Sequence, residues 1–270
     1  MVIFHLERFT LLIPIYGSHK GDKLKALKNL LFEELKGLNV EISNIDIIRY
    51  GYPEITLEGM DLEAARNYLC WLYESPRSFY DLKEGEVRKG WLKSVGKVGF
   101  GLFVDIGVVD PHTETLIPLF KVREQLVNGE KVSTKNIVNL YGFIDYFPLQ
   151  LKILKIDQGV KQIEAELSEG QINLFKKWIQ DRLDRIVVTD ITRQRVRKAV
   201  IKSGHLKDIV AIERLGLLEN VVVCKYGTNA PGLIKDIGPF IREAKLSAFR
   251  PKKIRAFKKK NKGEIKILLQ

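Results

Sequence analysis

The stretch GKVGFGLFVDIG, from Gly96 to Gly107, constrains the fold of this chain more than any other segment. Glycines at this density serve two different ends. They cradle a phosphate at the start of a helix, or they let a strand bend against a close neighbour. A P-loop needs GxxxxGK followed by Ser or Thr, set between a strand and a helix. A dinucleotide fingerprint also needs a helix after its glycines. Here the glycines lead into FVDIG, a β-prone run in which Val104 and Ile106 alternate with Phe103 and Asp105. The expectation is therefore a hairpin. Gly96 and Gly99 make its turn, and Gly101 removes a side chain where a bent strand crosses its neighbour. Nothing here or elsewhere in the chain calls for a cofactor.

The flanking segments extend the hairpin into a small barrel. EVRKGWLKSV supplies the preceding strand, and TETLIPLF a short strand that turns into VREQL. Residues 128–142 are polar and loop-like, with room for a short helix. FPLQLKILKID and KQIEAELS then alternate with period two, through Leu149, Leu151, Ile153 and Ile156, then Ile163, Ala165 and Leu167. That pattern predicts about five strands between residues 86 and 168. With Gly85–Val87, Gly101–Gly107 and Leu167–Ser168 in these places, residues 84–168 resemble an S1-type OB-fold domain. The resemblance implies single-stranded RNA on one barrel face, with aromatics stacking on bases and basic residues along the backbone. The residues it singles out are Phe100 and Phe103, flanked by Lys93 and Lys97. Two features depart from the family pattern. Pro118 stands where a third-strand His is common, and the 128–142 insertion is long. Phe103 is equally suited to filling the core.

The blocks on either side read alike. In the first, Phe9 to Tyr16 is a strand, and Leu24, Leu27, Leu30, Leu31 and Leu35 recur at helical spacing up to Gly37. Val40, Ile42, Ile45 and Ile47 form a second strand, Pro53 opens a third, and Asp61 is placed to cap a helix through Trp71. After a helix over 168–182, the last block gives RIVVTD as a strand and ITRQRVRKAVIKSG as a helix. HLKDIVAIERLG and LLENVVVCKYG are a strand pair turning at Gly216, and a helix follows from Pro231. Both blocks run β-α-β-β-α. The reading is a multidomain α+β protein with a central S1-like barrel between two small α/β domains: residues 1–78, 79–168 and 169–245, then a basic tail over 246–270. DLEAARNYL, GKVGFGLFVDIG and GHLKDIVAIERLGLLENVVVCKYGTNAPGL together resemble an archaeal protein family to which no activity is attached, over nearly the whole chain.

Charge points to a partner. Lys and Arg number 45 against 33 Asp and Glu, a formal +12 with a pI near 9.5. Such a chain favours nucleic acid, a ribonucleoprotein or an acidic membrane surface; a Lys-rich solvated surface of the thermophile kind is the alternative. No apolar run approaches the roughly 18 residues of a membrane span. MVIFHLERFT lacks a basic stretch followed by a long apolar core, so no secretory leader is expected. Two cysteines, Cys70 and Cys224, suit a reducing cytoplasm. They make no disulfide framework, and His5, His19, His112 and His205 lack metal-ligand spacing.

The cations cluster in three places. From Lys245 the tail carries Arg250, Lys252, Lys253, Arg255, Lys258, Lys259, Lys260 and Lys262, and such a run is expected to be an extended arm, with GEIKILLQ adding an edge strand. ITRQRVRKAVIKSG puts Arg193 and Arg197 on one helix shoulder and Arg195, Lys198 and Lys202 on the other. In KYGTNAPGL, Thr228 or Asn229 caps a helix whose N-terminus faces Lys225, a place for an anion or for ordinary capping. No GxSxG and no nucleophile–base pair appears. The sequence thus points to a non-catalytic RNA-binding accessory factor acting in translation or on the ribosome, with RNA as partner and the N-terminal domain free to contact protein. Other readings are an RNA-exosome-cap or RNA-polymerase accessory, an RNA-modifying enzyme with an interdomain site, and a protein scaffold.

Overall fold

A computed structural model describes residues 6–267, with side chains through residue 260. His5 and residues 268–270, the end of the expected GEIKILLQ strand, lie outside the described residues. The first block holds β1 (Leu6–Thr10), α1 (Lys20–Glu34), β2 (Val40–Ile47), β3 (Pro53–Gly59) and α2 (Leu62–Tyr73). The sheet order is β1-β3-β2, antiparallel throughout. Leu27 and Leu31 of α1 and Leu62, Ala65 and Leu69 of α2 bury against Phe9, Ile55 and Leu57 of the sheet. Two local expectations shift. The β1 ladder ends at Thr10, and Leu11–Tyr16 runs on as a buried irregular segment. Its N–H groups at Leu11 and Ile15 reach the carbonyls of Pro53 (3.1 Å) and Gly51 (2.8 Å). A continuous apolar run looks the same in sequence whether or not a ladder forms. Asp61 does not cap α2; its Oδ2 accepts from the Asn39 N–H at 2.7 Å and ties α2 to the start of β2.

The middle block contains β4 (Arg77–Ser78), β5 (Val87–Lys93), β6 (Gly101–Asp105), β7 (Val108–Asp110), β8 (Thr115–Pro118), α3 (Leu119–Val127), α4 (Thr134–Tyr141), β9 (Pro148–Asp157) and β10 (Gln162–Leu167). Strands β4 and β7 form a small parallel pair. The other five close into a barrel in the order β10-β8-β6-β5-β9, with β8 and β10 parallel and the remaining pairs antiparallel. This is the Greek-key path of an OB-type barrel. Alternate residues point inward, among them Leu92, Leu102, Val104, Ile117, Leu149, Leu151, Ile153, Ile163 and Leu167. In segment 128–142 the short helix forms as α4. The Ser133 hydroxyl accepts from Asn136 N–H at its start, and Ile137, Leu140 and Tyr141 are buried.

The glycines behave as a hairpin needs. Gly96 turns with φ +79°, and a Cβ on Gly101 would lie 2.4 Å from the Ile117 carbonyl oxygen and 2.7 Å from Leu116 Cδ1. That backbone contact is the β6–β8 crossing. Gly101→Val is expected to destabilise the fold by about 1–3 kcal/mol through overpacking, read as a lower urea midpoint with an unchanged m-value.

The last block comprises α5 (Glu169–Gln180), β11 (Arg185–Thr189), α6 (Arg193–Lys202), β12 (Ile209–Arg214), β13 (Asn220–Cys224), α7 (Ala230–Ile237), β14 (Lys245–Phe249) and α8 (Pro251–Ile267). The order β12-β13-β11-β14, all antiparallel, is a split-βαβ, ferredoxin-like sheet. The first block follows the same path without the fourth strand. Strands β11 and β13 are buried on both faces, which explains their unbroken apolar runs. Ile186, Val188 and Val222 pack on α6 and α7. On the other side Val187, Val221, Val223 and Phe249 join the barrel core. That shared core is aromatic: Phe249 lies 5.2 Å from Trp178 and 6.1 Å from Phe175, both on α5, and 6.0 Å from Tyr141 of α4, centroid to centroid.

The tail is not an extended arm. Lys245–Phe249 pairs with β11 as an edge strand, and the chain continues as α8. Gly263–Ile267, expected as strand, is the end of that helix. Pro251 is the first helical residue, where its missing N–H costs nothing. Pro251 and Ile254 are buried and Phe257 packs partly against the same core, at the i, i+3 spacing of a helix seam. The density of lysines hides this seam from a reading of charge alone.

Candidate nucleic-acid interface

A solvent-open cleft of about 1020 Å³ forms where α8 passes the C-terminal sheet. One wall is the outer face of α8, with Lys252, Arg255, Lys258 and Lys259. The opposite wall is the β13–α7 loop, Tyr226 to Asn229. Arg182 and Asp184 close the floor between α5 and β11, Arg250 stands at the start of α8, and Asn128 comes in from the end of α3. Lys252, Arg255 and Lys259 share a face because they are spaced i, i+3, i+7. The lining carries six cations and, among the described residues, one carboxylate, that of Asp184.

Asp184 is already committed. Its Oδ2 accepts from the Ala230 N–H at the start of α7 (3.4 Å) and pairs with Arg250 Nε (3.4 Å). It therefore occupies the α7 N-terminus, for which the sequence left open an anion or ordinary capping. Neither Thr228 nor Asn229 caps that helix through its side chain; the Thr228 hydroxyl instead donates to the Asp208 carbonyl at 3.3 Å. Beneath the loop, burial and the neighbouring Asp184 push the Cys224 thiol up to about 12. It stays protonated at neutral pH and has no thiolate to offer.

The cleft gathers Thr228, Asn229, Lys252, Arg255, Lys258 and Lys259 from two regions singled out in the sequence. It does not include Lys225, Lys253 or Lys260, which are exposed nearby in the chain. Nor does it include the cations of α6. Arg193, Arg197, Lys198 and Lys202 are exposed on a helix that covers the other face of the sheet, and Arg195 is held by Glu243 at 2.5 Å. Arg250 was read only as part of the basic tail, and Arg182 and Tyr226 were not foreseen. A bracketing aromatic in KYGTN was the available signal for Tyr226; an isolated arginine such as Arg182 gives none.

The barrel face is a separate patch. Phe100 is 57% exposed and meets the half-buried Phe103 edge-on at 5.7 Å. The Leu119 N–H donates to the Phe100 carbonyl at 2.8 Å, which brings the exposed Phe120 to this end of the barrel. Lys97 is exposed beside them. Lys93 is turned to other work: it pairs with Asp105 (3.5 Å) and lies over the Tyr146 ring (4.5 Å).

A smaller pocket of about 260 Å³ lies where the three blocks meet. It holds Glu219, 1% exposed, with Lys89 and Trp91. The two charged groups are tied to their surroundings. Glu219 accepts from the Tyr16 hydroxyl at 2.5 Å, and the Lys89 ammonium donates to the Leu215 carbonyl at 2.9 Å. Among the described residues no group of His, Cys, Asp and Glu is placed to hold a metal, and no helix is long and apolar enough to cross a membrane.

No curated protein is similar to the chain. Solved structures with local similarity include the uncharacterized protein MJ1198 from Methanocaldococcus jannaschii, at 11% identity over 33% of this chain and 96% of that one, TM-score 0.23. Another is the a/eIF2alpha–aDim2p–rRNA complex from Pyrococcus horikoshii OT3, at 16% identity over 46% of this chain and 64% of that one, TM-score 0.26. Overlaps this slight carry no argument. Family models account for most of the length in three consecutive pieces, an N-terminal domain over residues 8–78, a central domain over 82–179 and a C-terminal domain over 183–249. The chain belongs to the DUF2110 family.

Proposed function

We propose that this protein is a non-catalytic RNA-binding accessory factor, acting on the ribosome or elsewhere in translation, with an S1-like central barrel. The observation that carries the reading is the cleft beside α8, with six cations facing one carboxylate that is already paired. Such a lining suits a polyanion, and arginine forks at Arg182 and Arg255 suit phosphate oxygens. The aromatic patch of Phe100, Phe103 and Phe120 offers a second contact for the same RNA. Glu219 and Lys89 of the smaller pocket have partners within the fold, which favours a structural role for them over catalysis.

Binding of a labelled RNA fragment to the purified chain, followed by anisotropy against salt, tests this. Affinity is expected to fall linearly on a log–log plot, and Lys252→Ala or Arg255→Ala to reduce the slope by about one each. Absence of binding at low salt by a folded protein would overturn the RNA reading. Sedimentation of native lysate on gradients, with and without RNase, tests the translation half: comigration with a ribosomal subunit, lost at high salt, is the expected result. A free position in every gradient would remove the ribosome from the proposal.

A further inference from the structure

We infer that the cleft takes a single RNA strand and that Tyr226 stacks on one of its bases. This rests on RNA being the ligand of the cleft. Tyr226 is 80% exposed and lines the cleft. The loop that carries it is fixed at its base. The Lys225 N–H donates to the Asp208 carbonyl (2.9 Å), the Thr228 N–H to the Lys225 carbonyl (3.0 Å), and the Thr228 hydroxyl to the Asp208 carbonyl. Gly227, at φ +85°, completes the turn just after the ring. The aromatic is thus presented from an anchored loop, across from the cations of α8.

A flat aromatic face beside a row of cations is the pairing that single strands use. The cations follow the phosphates and the ring takes a base whatever its identity. A paired helix hides its base faces and offers phosphates, 2′-hydroxyls and groove edges. Against a duplex the cations still act, but Tyr226 has no base to stack on. The two kinds of contact therefore separate by strand state.

The test is anisotropy with a short oligoadenylate and a duplex of equal length, for wild type, Tyr226→Ala, Tyr226→Phe and Arg255→Ala. The exposed position makes all the Tyr226 variants foldable. Wild type is expected to prefer the single strand. Tyr226→Ala is expected to lose roughly five- to hundredfold in affinity for it, with little change for the duplex. Tyr226→Phe is expected to keep wild-type binding, and Arg255→Ala to weaken both ligands. Equal binding of strand and duplex with a neutral Tyr226→Ala would overturn this inference and leave RNA binding standing. Failure of wild type to bind either ligand would remove the RNA reading itself.

Discussion

Phe249→Ala is expected to lower the unfolding free energy by about 3–5 kcal/mol, among the largest single-site losses this fold can show. Phe249 is fully buried at the end of β14, within 5.2–6.1 Å of Trp178, Phe175 and Tyr141, centroid to centroid. Trp178 and Phe175 belong to α5, and Tyr141 to α4 of the middle block. Truncating Phe249 removes a side chain that joins two blocks, and flanking elements from both would have to close the void. Urea unfolding followed by tryptophan fluorescence reads the loss. If the two blocks fold independently, the variant will instead show two transitions, with the barrel transition unmoved.

The second large effect concerns the buried polar junction. Glu219→Ala is expected to cost about 1–3 kcal/mol, because it strips the acceptor from the Tyr16 hydroxyl deep in the fold. Glu219→Gln keeps the shape and isolates the charge. Burial holds the Glu219 carboxyl above its usual range. The native state therefore keeps its proton at pH values where the unfolded chain has released it. The stability this contributes is full below the ordinary glutamate value, about 4.3. It declines as pH rises from there through the raised value, and is flat beyond. The Gln variant lacks this decline. Wild type should thus lose ground to Glu219→Gln as pH rises through that window in paired urea titrations. A difference that stays constant or grows would show that the carboxylate is charged in the fold.

How much of this was legible depends on what each signal encodes. The barrel was legible because its alternation at Leu149, Leu151 and Ile153, and at Ile163, Ala165 and Leu167, is local and periodic. Gly101 was legible because a glycine in a strand is anomalous unless another backbone comes close. The flanking blocks gave their β-α-β-β-α order from helical spacing and turn residues. The fourth strand β14 did not show, since Lys245–Phe249 is short, edge-placed and half exposed. Helix α8 was obscured for a different reason. Its seam is the trio Pro251, Ile254 and Phe257, set among cations that dominate any composition count. The cleft itself is a tertiary object. Lys252 and Thr228 face one cavity only because β13 and β14 flank β11 in the sheet, and no spacing in the chain records that order. The α6 cations, by contrast, were visible as a cluster yet lie outside the cleft.

Helix α8 has one face in the shared core and the other along the cleft. A tether on a loose arm would yield to a pulling ligand by uncoiling. Here a tug on Lys252 or Arg255 is passed within one turn to Pro251 and Ile254, and so to the packed interior of two domains. The grip is as stiff as the body that holds it, so tension on a strand bound as proposed would move the whole protein before it loosened the helix.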